Sequence, residues 1–381
     1  MSVAPEIKGW CPGALRPMQS GDGLVVRIRP PLGRLTPAQA AAIARAALNH
    51  GNGIIDLSAR ANLQLRGVSL SSHTPLIADL RSHDLIDPDI ETESLRNLIV
   101  TPFRDATTTD LAATLTAALA RMPHLPGKFG FALDTGPRPV LTEASVDIRV
   151  ERSADGRLIL RPEGHPLGKP VRDLAADAIA MAEWFIAHGG VTNDRGRMAA
   201  LIARGVIPED CDSAPAYALP QPEPGLHADG ALVAMAFGQM RAETLAALAT
   251  FGHEIRPTPW RMLFLVGAKA LPDYPGLITD PADPILRVTA CTGAPACPQA
   301  RGDTRQLAWS LALHLPRGQA LHVSGCAKGC AHPGPSGLTL TATLSGYDLI
   351  RDGSASDTPS LTGLSRQAIP DLLKAPHAPS L

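Results

Sequence analysis

Residues 23–29 read Gly-Leu-Val-Val-Arg-Ile-Arg, a run whose apolar and charged side chains alternate as they do in a β-strand. Thr36-Pro37 then supplies a helix cap and a first helical residue, and Gly51 lies where that helix would end. Two more strands follow, Gly53-Ile-Ile-Asp-Leu and Asn62-Leu-Gln-Leu-Arg-Gly. The stretch therefore predicts a strand, a helix and two strands in one small unit.

The same order of elements returns about 205 residues later. Gly230-Ala-Leu-Val-Ala-Met-Ala is again a strand, residues 241–251 form a helix, and Trp260-Arg-Met-Leu-Phe-Leu-Val-Gly is a later strand. A matching second segment follows each copy and opens at Leu95-Arg-Asn-Leu-Ile-Val and at Ile285-Leu-Arg-Val-Thr-Ala. We therefore expect two similar halves in pseudo-twofold packing, with a ligand site in the groove where they meet.

Residues 206–228 join the halves. The segment contains Pro208, Pro215, Pro220, Pro222 and Pro224. Because proline disfavours both helix interiors and central strands, we expect an extended connection here.

Four of the six cysteines lie within forty residues near the C-terminus. Cys291 and Cys297 form a C-x5-C pair, and Cys326 and Cys330 form a C-x3-C pair. Four thiolates in two close pairs can hold an iron–sulfur cluster or a structural zinc. Zinc pairs usually keep gaps of roughly two to four residues, so the longer first gap favours the cluster. Four buried structural thiols, or disulfides, are the weaker alternatives.

The composition is that of a globular protein with almost no net charge. Its formal net charge is −1 at pH 7, from 35 Lys and Arg against 36 Asp and Glu residues. This balance gives no reason to expect a nucleic-acid or membrane partner. No stretch nears the roughly eighteen apolar residues of a membrane span, and the N-terminus has no basic region followed by an apolar run. We expect a cytoplasmic protein whose sulfur binds metal rather than forming disulfides.

Several motifs together resemble the sulfite and nitrite reductase superfamily. They are the two cysteine pairs, the stretch Ser58-Ala-Arg-Ala-Asn-Leu-Gln-Leu-Arg, the Leu95-Arg-Asn stretch and the Leu125-Pro-Gly-Lys-Phe stretch. The resemblance covers roughly residues 9–350. It implies an α+β fold of duplicated ferredoxin-like half-domains plus two nitrite/sulfite reductase-type α/β domains in pseudo-twofold arrangement. It also implies that Cys291, Cys297, Cys326 and Cys330 bind a 4Fe-4S cluster, which in that superfamily sits against sirohaem.

The resemblance also implies a set of domain boundaries. The expected parts are a first ferredoxin-like half-domain at 9–75, a first reductase-type domain at 85–205, the Pro-rich linker at 206–228, a second ferredoxin-like half-domain at 229–270, a second reductase-type domain with the 4Fe-4S cluster at 283–350, and a tail at 352–381. The tail is rich in Ser, Pro and Ala, and we expect it to be partly disordered with one short helix near residues 365–374.

Two blocks are most similar to the precorrin-3B synthase branch of this superfamily. One is Cys11-Pro-Gly-Ala-Leu-Arg-Pro-Met-Gln-Ser-Gly-Asp-Gly-Leu, and the other is Val-Ser-Gly-Cys-Ala-Lys-Gly-Cys-Ala-His-Pro at residues 323–333. The likeness implies an iron–sulfur oxidoreductase of cobalamin biosynthesis, a monooxygenase that hydroxylates precorrin-3A at C20 while a ring A acetate closes to a lactone. Its partners would be precorrin-3A, O2 and an electron donor. The donor would be external, because no G-x-G-x-x-G motif for a nicotinamide or flavin cofactor follows a strand here. The alternatives are a sirohaem-dependent sulfite or nitrite reductase, and a non-catalytic cluster protein that carries electrons or binds a tetrapyrrole.

The same resemblance assigns three basic residues to substrate binding. Arg60 stands at the Arg of the family's T-x-R-x-x-x-Q stretch, Arg96 at that of the R-N pair, and Lys128 at the first Lys of L-P-x-K-F-K. A cation in a partly dry groove can bind a propionate or acetate group, although a single basic residue outside such motifs is more often a solvated surface side chain. Gly130 replaces the family's second Lys, which weakens the reductase alternative because that reaction needs several cations around a small anion.

The sequence leaves the catalytic residues unassigned. A mononuclear non-haem iron is a candidate second cofactor, and sirohaem would be the cofactor of the reductase alternative. His322, His332, His227, His253 and Asp303 could help to hold such an iron, but a lone histidine near a core is more often a structural residue. Cys11 is expected in a structural turn before Pro12 and Gly13, and Cys211 is expected to have no part in the site.

Overall fold

The chain forms two compact units in a computed structural model, which describes residues 12–374. The larger unit comprises residues 12–18 and 24–279, and the smaller one comprises residues 19–23 and 280–374. Cys11 and residues 375–381 lie outside the described residues. None of the helices within residues 12–374 combines the length and the apolar content needed to cross a bilayer.

The first copy of the repeated pattern folds as the sequence predicts. Its elements are β1 (Met18–Ser20), β2 (Gly23–Ile28), α1 (Pro37–His50), β3 (Ile54–Leu57), β4 (Leu63–Val68) and α2 (Leu70–Arg81). Thr36 caps α1 through a capping box: its hydroxyl accepts the Gln39 N–H at 3.2 Å, and the Gln39 side-chain oxygen accepts the Thr36 N–H at 3.1 Å. The predicted start of this helix at Pro37 and its end before Gly51 are confirmed.

The next segment builds a mixed sheet. Its elements are α3 (Ile90–Leu95), β5 (Leu98–Val100), α4 (Ala106–Leu119), β6 (Phe131–Asp134), β7 (Ile148–Arg152), β8 (Leu158–Pro162), β9 (Lys169–Pro170), α5 (Leu174–Ala187) and α6 (Met198–Ile202). The strands lie in chain order; β5, β6 and β7 are parallel, and β8 and β9 are antiparallel additions. Leu115, Phe131, Ile148 and Phe185 belong to the core that joins the helices to this sheet.

The second copy of the repeated pattern completes the larger unit. It contains β10 (Gly225–His227), β11 (Gly230–Ala234), β12 (Gln239–Arg241), α7 (Ala242–Thr250), β13 (Ile255–Pro257) and β14 (Met262–Val266). β10, β11, β14 and β13 form an antiparallel sheet in that order. The predicted helix over 241–251 is therefore α7, shortened by one residue at each end.

The two copies are interlocked by strand pairing. β12 belongs to the second copy but pairs antiparallel with β3 of the first, with Met240 opposite Ile55. A bridge from Leu35 to Ile255 makes the reciprocal link. Because the pairing runs in both directions, α1 and α7 bury their apolar faces, including Ile43 and Leu245, in one shared core.

Backbone geometry repeats with the sequence. Leu32 and Gly33 have φ of 51° and 65°, and Phe237 and Gly238 have φ of 59° and 66°. Both pairs are separated by the same offset, since 237 − 32 and 238 − 33 are each 205. A left-handed Leu or Phe is uncommon, so its recurrence at one offset supports the duplication independently of side-chain identity.

The smaller unit repeats the mixed-sheet topology. Its elements are β15 (Val288–Ala290), α8 (Arg305–Ala312), β16 (Leu321–Ser324), β17 (Ser336–Thr343), β18 (Gly346–Gly353), β19 (Leu361–Leu364) and α9 (Ile369–Lys374). β15, β16 and β17 are parallel and β18 and β19 are antiparallel, as in the β5–β9 sheet. The expectation of partial disorder after residue 352 does not hold for residues 361–364, which form β19 and pair with β18; the short helix expected near 365–374 is confirmed as α9.

The Pro-rich segment runs extended along the β5–β9 sheet. The Gly168 and Ser213 main chains exchange two hydrogen bonds of 2.8 and 3.0 Å, and the Ala216 N–H donates to the Arg152 oxygen at 2.8 Å. Only its last residues, in β10, join a sheet as a regular strand. The predicted extended conformation is seen at these contacts, whereas all of the predicted domain boundaries stay predictions.

Candidate metal centre and anion-binding residues

The four clustered cysteines follow two parallel neighbouring strands. Cys291 comes directly after β15, and Cys326 comes two residues after β16. Parallel strands end at the same edge of a sheet, so both cysteine loops start from that edge. The Cys291 N–H continues the pairing by donating to the Val323 oxygen at 3.0 Å.

Close backbone contacts hold the two loops. Gly293 has φ of 76°, and a Cβ at this position would lie 2.5 Å from the Thr304 hydroxyl, so no larger residue fits. The Thr304 hydroxyl donates to the Cys291 oxygen at 2.6 Å. The Arg301 N–H donates to the Gly325 oxygen at 2.8 Å and ties the first loop to the second.

The β1–β2 turn supports the first cysteine loop, a contact that no motif predicts. The Ser20 hydroxyl and the Gly21 N–H both donate to the Ala296 oxygen, at 2.6 and 2.9 Å. A Cβ on Gly21 would lie 2.1 Å from the Pro295 oxygen. Part of the block Met-Gln-Ser-Gly-Asp-Gly therefore shapes the residues next to Cys297.

The four thiols lie near enough to affect one another's ionisation. Partial burial raises the pKa of Cys330 to about 11, although the residue keeps exposed surface, and the sulfurs of Cys291, Cys326 and Cys297 contribute to this rise. Burial also raises the pKa of Cys326. A main-chain hydrogen bond at Lys328 lowers this pKa, while the neighbouring Cys297 and Cys291 raise it further. Neighbouring thiolates repel each other in the protein alone, whereas bound iron would favour the thiolate form.

Polar groups surround the sulfur of Cys291. The Ala331 N–H donates to this sulfur at 3.4 Å, His322 Nε2 lies 3.7 Å from it, and the Ser324 hydroxyl oxygen lies 3.5 Å from it. Hydrogen bonds to a ligand atom are the usual surroundings of a metal-binding side chain. The soft donor set, the shared sheet edge and these hydrogen bonds fit a 4Fe-4S cluster. Among residues 12–374, no group of three or more His, Cys, Asp or Glu side chains is arranged to hold a single metal ion.

Arg60 and Lys128 come together in the larger unit. Arg60 Nη2 donates to the Lys128 main-chain oxygen at 2.8 Å, and the Lys128 side chain is exposed. A Cβ on Gly130 would lie 3.3 Å from Arg60 Nη1 and 3.0 Å from the Asn97 oxygen. Two of the three predicted cations are thus neighbours, and the missing side chain at residue 130 leaves room for the guanidinium.

Arg96 takes a different position. Its Nε and Nη2 donate to the two carboxylate oxygens of Asp87, both at 2.8 Å, and its Nη2 and Nη1 also donate to the Arg29 and Pro30 oxygens at 2.8 and 3.3 Å. Both side chains of the pair are nearly buried, 13% and 12% exposed. These contacts favour a structural role for Arg96, joining the chain before α3 to the loop after β2.

Sequence reasoning missed two residues that shape the loop around Lys128. Asn97 Nδ2 donates to the Phe129 oxygen at 3.1 Å. Asp147 is fully buried; it accepts the Gly130 N–H at 3.0 Å and pairs with Arg197 at 2.9 Å, and burial raises its pKa. Asn97 belongs to the R-N motif, although the sequence does not indicate its contact with Phe129. No motif marks Asp147, which binds the next residue of the same loop.

Buried arginines form a second set that sequence reasoning missed. Arg27 lies on β2 and Arg29 directly follows it, and both alternate with core residues, yet they are only 9% and 5% exposed. Burial lowers the pKa of Arg29 to about 10, and the nearby Glu93 carboxylate opposes this effect by favouring the charged guanidinium. Arg104 is also buried; within the described chain its side-chain nitrogens have no hydrogen-bond partner, and burial lowers its pKa to about 9. The alternation of apolar and charged residues in 23–29 predicts a strand, but it does not predict that the charged residues are buried as well.

The remaining histidine and aspartate candidates have separate contacts within their own units. His322 and His332 have their ring centroids 5.8 Å apart, and His332 Nε2 lies 2.9 Å from the Pro335 oxygen. His227 instead packs against Phe103, with ring centroids 5.3 Å apart. Asp303 accepts a hydrogen bond from the Gln306 N–H at 3.3 Å. Cys211 lies in the Pro-rich segment, where burial raises the pKa of its thiol.

Comparison with known proteins gives consistent matches. Residues 16–83 match the nitrite/sulfite reductase ferredoxin-like half domain. A precorrin-3B synthase of Sinorhizobium sp is 30% identical over 94% of this chain and 86% of its own length. A ferredoxin–nitrite reductase of Synechococcus elongatus is 24% identical over the same shares of the two chains, 94% and 86%.

A solved structure agrees with the fold. The NirA protein of Mycobacterium tuberculosis matches with a TM-score of 0.64 at 17% identity, over 92% of this chain and 79% of that one. The expected α+β fold with a ferredoxin-like half-domain is thereby confirmed. Since an identity of 30% extends over almost the whole of both sequences, this chain belongs to the precorrin-3B synthase family of the nitrite and sulfite reductase superfamily.

Proposed function

We propose that this chain catalyses the oxygen-dependent hydroxylation of precorrin-3A at C20, with closure of a ring A acetate to a lactone, in the cytoplasm. The observation that carries the proposal is the 30% identity to a precorrin-3B synthase over 94% of the chain. One oxygen atom of O2 becomes the new hydroxyl group and the other leaves as water. An external donor supplies the two electrons and solvent supplies the two protons that balance this step.

Cys291, Cys297, Cys326 and Cys330 are the proposed ligands of a 4Fe-4S cluster. Such a cluster, when bound, supplies one-electron transfer. The protein's contribution is to hold the two cysteine loops at one sheet edge and to direct the Ala331 N–H toward the Cys291 sulfur. These contacts orient the ligand before iron binds and reduce the entropy lost on binding.

Arg60 and Lys128 are the proposed contacts for substrate carboxylates. The hydrogen bond from Arg60 to the Lys128 oxygen fixes the guanidinium close to the Lys128 backbone, while the ammonium group extends into solvent. Acetate and propionate groups of a tetrapyrrole can accept charge-assisted hydrogen bonds from such a pair. Arg96 would act indirectly, because the Asp87 pair holds it in place.

A sirohaem-dependent reductase is the second candidate, favoured by the 24% identity to a nitrite reductase. Gly130 argues against it. A side chain at residue 130 would start 3.3 Å from Arg60 Nη1. Because residue 130 is glycine, this chain has no second lysine beside Arg60 at that position. Fewer cations mean less stabilisation of charge on a small bound anion.

The electronic spectrum and the fate of labelled oxygen distinguish the two candidates. For the proposed hydroxylase we expect a broad brown cluster absorption, and one labelled oxygen atom in the product after incubation of precorrin-3A under ¹⁸O₂ with an electron source. No product should form without oxygen. Stoichiometric bound sirohaem with rapid sulfite or nitrite reduction, or product formed equally well under nitrogen, would favour the reductase instead.

A further inference from the structure

His322 lies on the polar face of the sheet in the smaller unit. It occupies β16, opposite Thr289 on β15 and Thr339 on β17, and is 0% exposed. Its neighbours Leu321 and Val323 point to the opposite, apolar face, because successive strand residues alternate. A fully buried imidazole requires a hydrogen-bond partner, and the sulfur of Cys291 lies 3.7 Å from its Nε2.

Three hydroxyl groups on this face donate their protons to main-chain oxygens. Ser324 Oγ donates to the Cys326 oxygen at 2.7 Å, Thr339 Oγ1 to the Gly353 oxygen at 2.8 Å, and Thr341 Oγ1 to the Ala355 oxygen at 3.1 Å. Ser324 therefore presents oxygen lone pairs, not its proton, to the Cys291 sulfur. Two groups near this sulfur that can donate to it are the Ala331 N–H at 3.4 Å and the imidazole of His322 at 3.7 Å.

A cysteine that binds iron is a thiolate, which can only accept hydrogen bonds. A neutral imidazole opposite it is therefore most stable with its proton on Nε2. We propose that His322 donates an Nε2–H···S hydrogen bond to Cys291 and thereby raises the reduction potential of the cluster proposed above. The inference rests on that cluster, but it concerns a residue that binds no iron.

The physical basis is the charge added on reduction. When the cluster accepts one electron from a donor, negative charge spreads onto the cysteine sulfurs. A hydrogen bond to such a sulfur stabilises the reduced form more than the oxidised form. Removing the donor should make reduction harder without removing an iron ligand, so His322 is a positioning residue whose effect appears in the potential.

Three variants separate this role from packing. His322→Phe keeps a ring but has no donor, and His322→Gln keeps an amide N–H near the Nε2 position. His332→Phe is the matched control, because the His332 ring lies 5.8 Å from that of His322 while its own Nε2 lies 2.9 Å from the Pro335 oxygen rather than near a sulfur. Iron and sulfide content would be measured first, and the midpoint potential would then be titrated with dithionite and followed by electron paramagnetic resonance.

We expect His322→Phe to retain its iron and to shift the midpoint to lower potential, by about 59 mV if the reduced-to-oxidised ratio falls tenfold. His322→Gln should recover much of this shift, and His332→Phe should not change the midpoint. An unchanged midpoint in His322→Phe with full iron content, or an equal shift in His332→Phe, would overturn the inference. A wild-type protein without any cluster would instead contradict the proposed function.

A measurement on the wild-type protein covers the case in which a variant loses its iron. With ¹⁵N-labelled histidine, pulsed paramagnetic resonance of the reduced cluster should detect weak coupling to one imidazole nitrogen. That coupling should persist in labelled His332→Phe. No coupling in the wild-type protein would contradict the hydrogen bond directly.

Discussion

Arg60 Nη2 and the main-chain oxygen of Lys128 are joined by a hydrogen bond of 2.8 Å across 68 positions of sequence. The bond brings two basic side chains from separate motifs to one place. It also distinguishes them from Arg96, whose donors go to Asp87 and to backbone oxygens.

Substitution of the two neighbouring cations should weaken substrate binding. Arg60→Ala and Lys128→Ala should each lose roughly 1.5–3 kcal/mol of binding free energy, about 10- to 150-fold in Kd, because a charge-assisted hydrogen bond to a carboxylate is removed. Titration of the reduced tetrapyrrole substrate, followed by fluorescence or calorimetry, would measure the change. Arg121→Ala, on the exposed surface, is the control. Unchanged affinity in both variants would assign these residues to the surface.

Arg96 should matter for stability instead. Arg96→Ala leaves the nearly buried Asp87 carboxylate without its partner, and we expect the free energy of unfolding to fall by about 3 kcal/mol. Urea denaturation measures this directly. The double variant Arg96→Ala/Asp87→Ala should lose less than the sum of the single variants. For comparison, loss of the exposed Arg241–Glu243 pair should cost less than about 1 kcal/mol. Strict additivity would show that the Arg96 pair contributes no coupling.

Cysteine substitution tests the metal centre. Serine at Cys291, Cys297, Cys326 or Cys330 replaces a soft thiolate by a poor iron ligand, so iron and acid-labile sulfide should fall together. Cys211→Ser should keep both at the wild-type level. Four irons retained in every one of the four variants would exclude these residues as ligands.

We expect the charged side chain of Arg104 to lower the free energy of unfolding at neutral pH. It is a buried cation beside Arg256 and Arg34, and Glu254 already binds those two arginines at 2.7 and 3.0 Å. Arg104→Met removes the charge and keeps the length, so we expect the free energy of unfolding to rise by about 1 kcal/mol or more at pH 7.5. A clear loss of stability in urea would mean that the guanidinium has a partner in solution.

The pH dependence gives a second test of the same residue. The folded-state pKa of Arg104, about 9, lies below its ordinary value. Folding therefore disfavours the protonated form, and the wild-type protein gains stability as pH rises above 9, whereas Arg104→Met has no such group. The advantage of the variant should shrink between pH 7.5 and pH 10 in paired urea titrations. An advantage that grows over this interval would contradict the assigned shift.

Local signals in the sequence were sufficient for α1, α7 and the main strands of the repeated pattern. Thr36, Pro37 and Gly51 set the bounds of α1 through contacts within a few residues, so they could be read directly. β19 was missed because Leu361-Thr-Gly-Leu is short, contains glycine and follows a Ser- and Pro-rich stretch. Only its pairing with β18 makes it a strand.

The candidate site divides in the same way. The cysteines could be identified because metal-binding spacing is local, and their shared sheet edge follows from parallel pairing. The role of Arg96 depends on Asp87, which no motif marks as its partner, and the burial of Arg27 and Arg29 depends on packing that alternation cannot report. His322 could be noticed from its place near the cysteine pair, but its distance to Cys291 required the register of β15 and β16.

The exchange of β12 and Leu35 between the two copies has a consequence for how the larger unit can be divided. A protease cut in the Pro-rich segment would break the covalent connection but leave the β3–β12 pairing and the shared core intact. Two separately expressed polypeptides that meet in this segment should therefore reassociate as a split protein, while either one alone would expose an unpaired sheet edge and half of an apolar core.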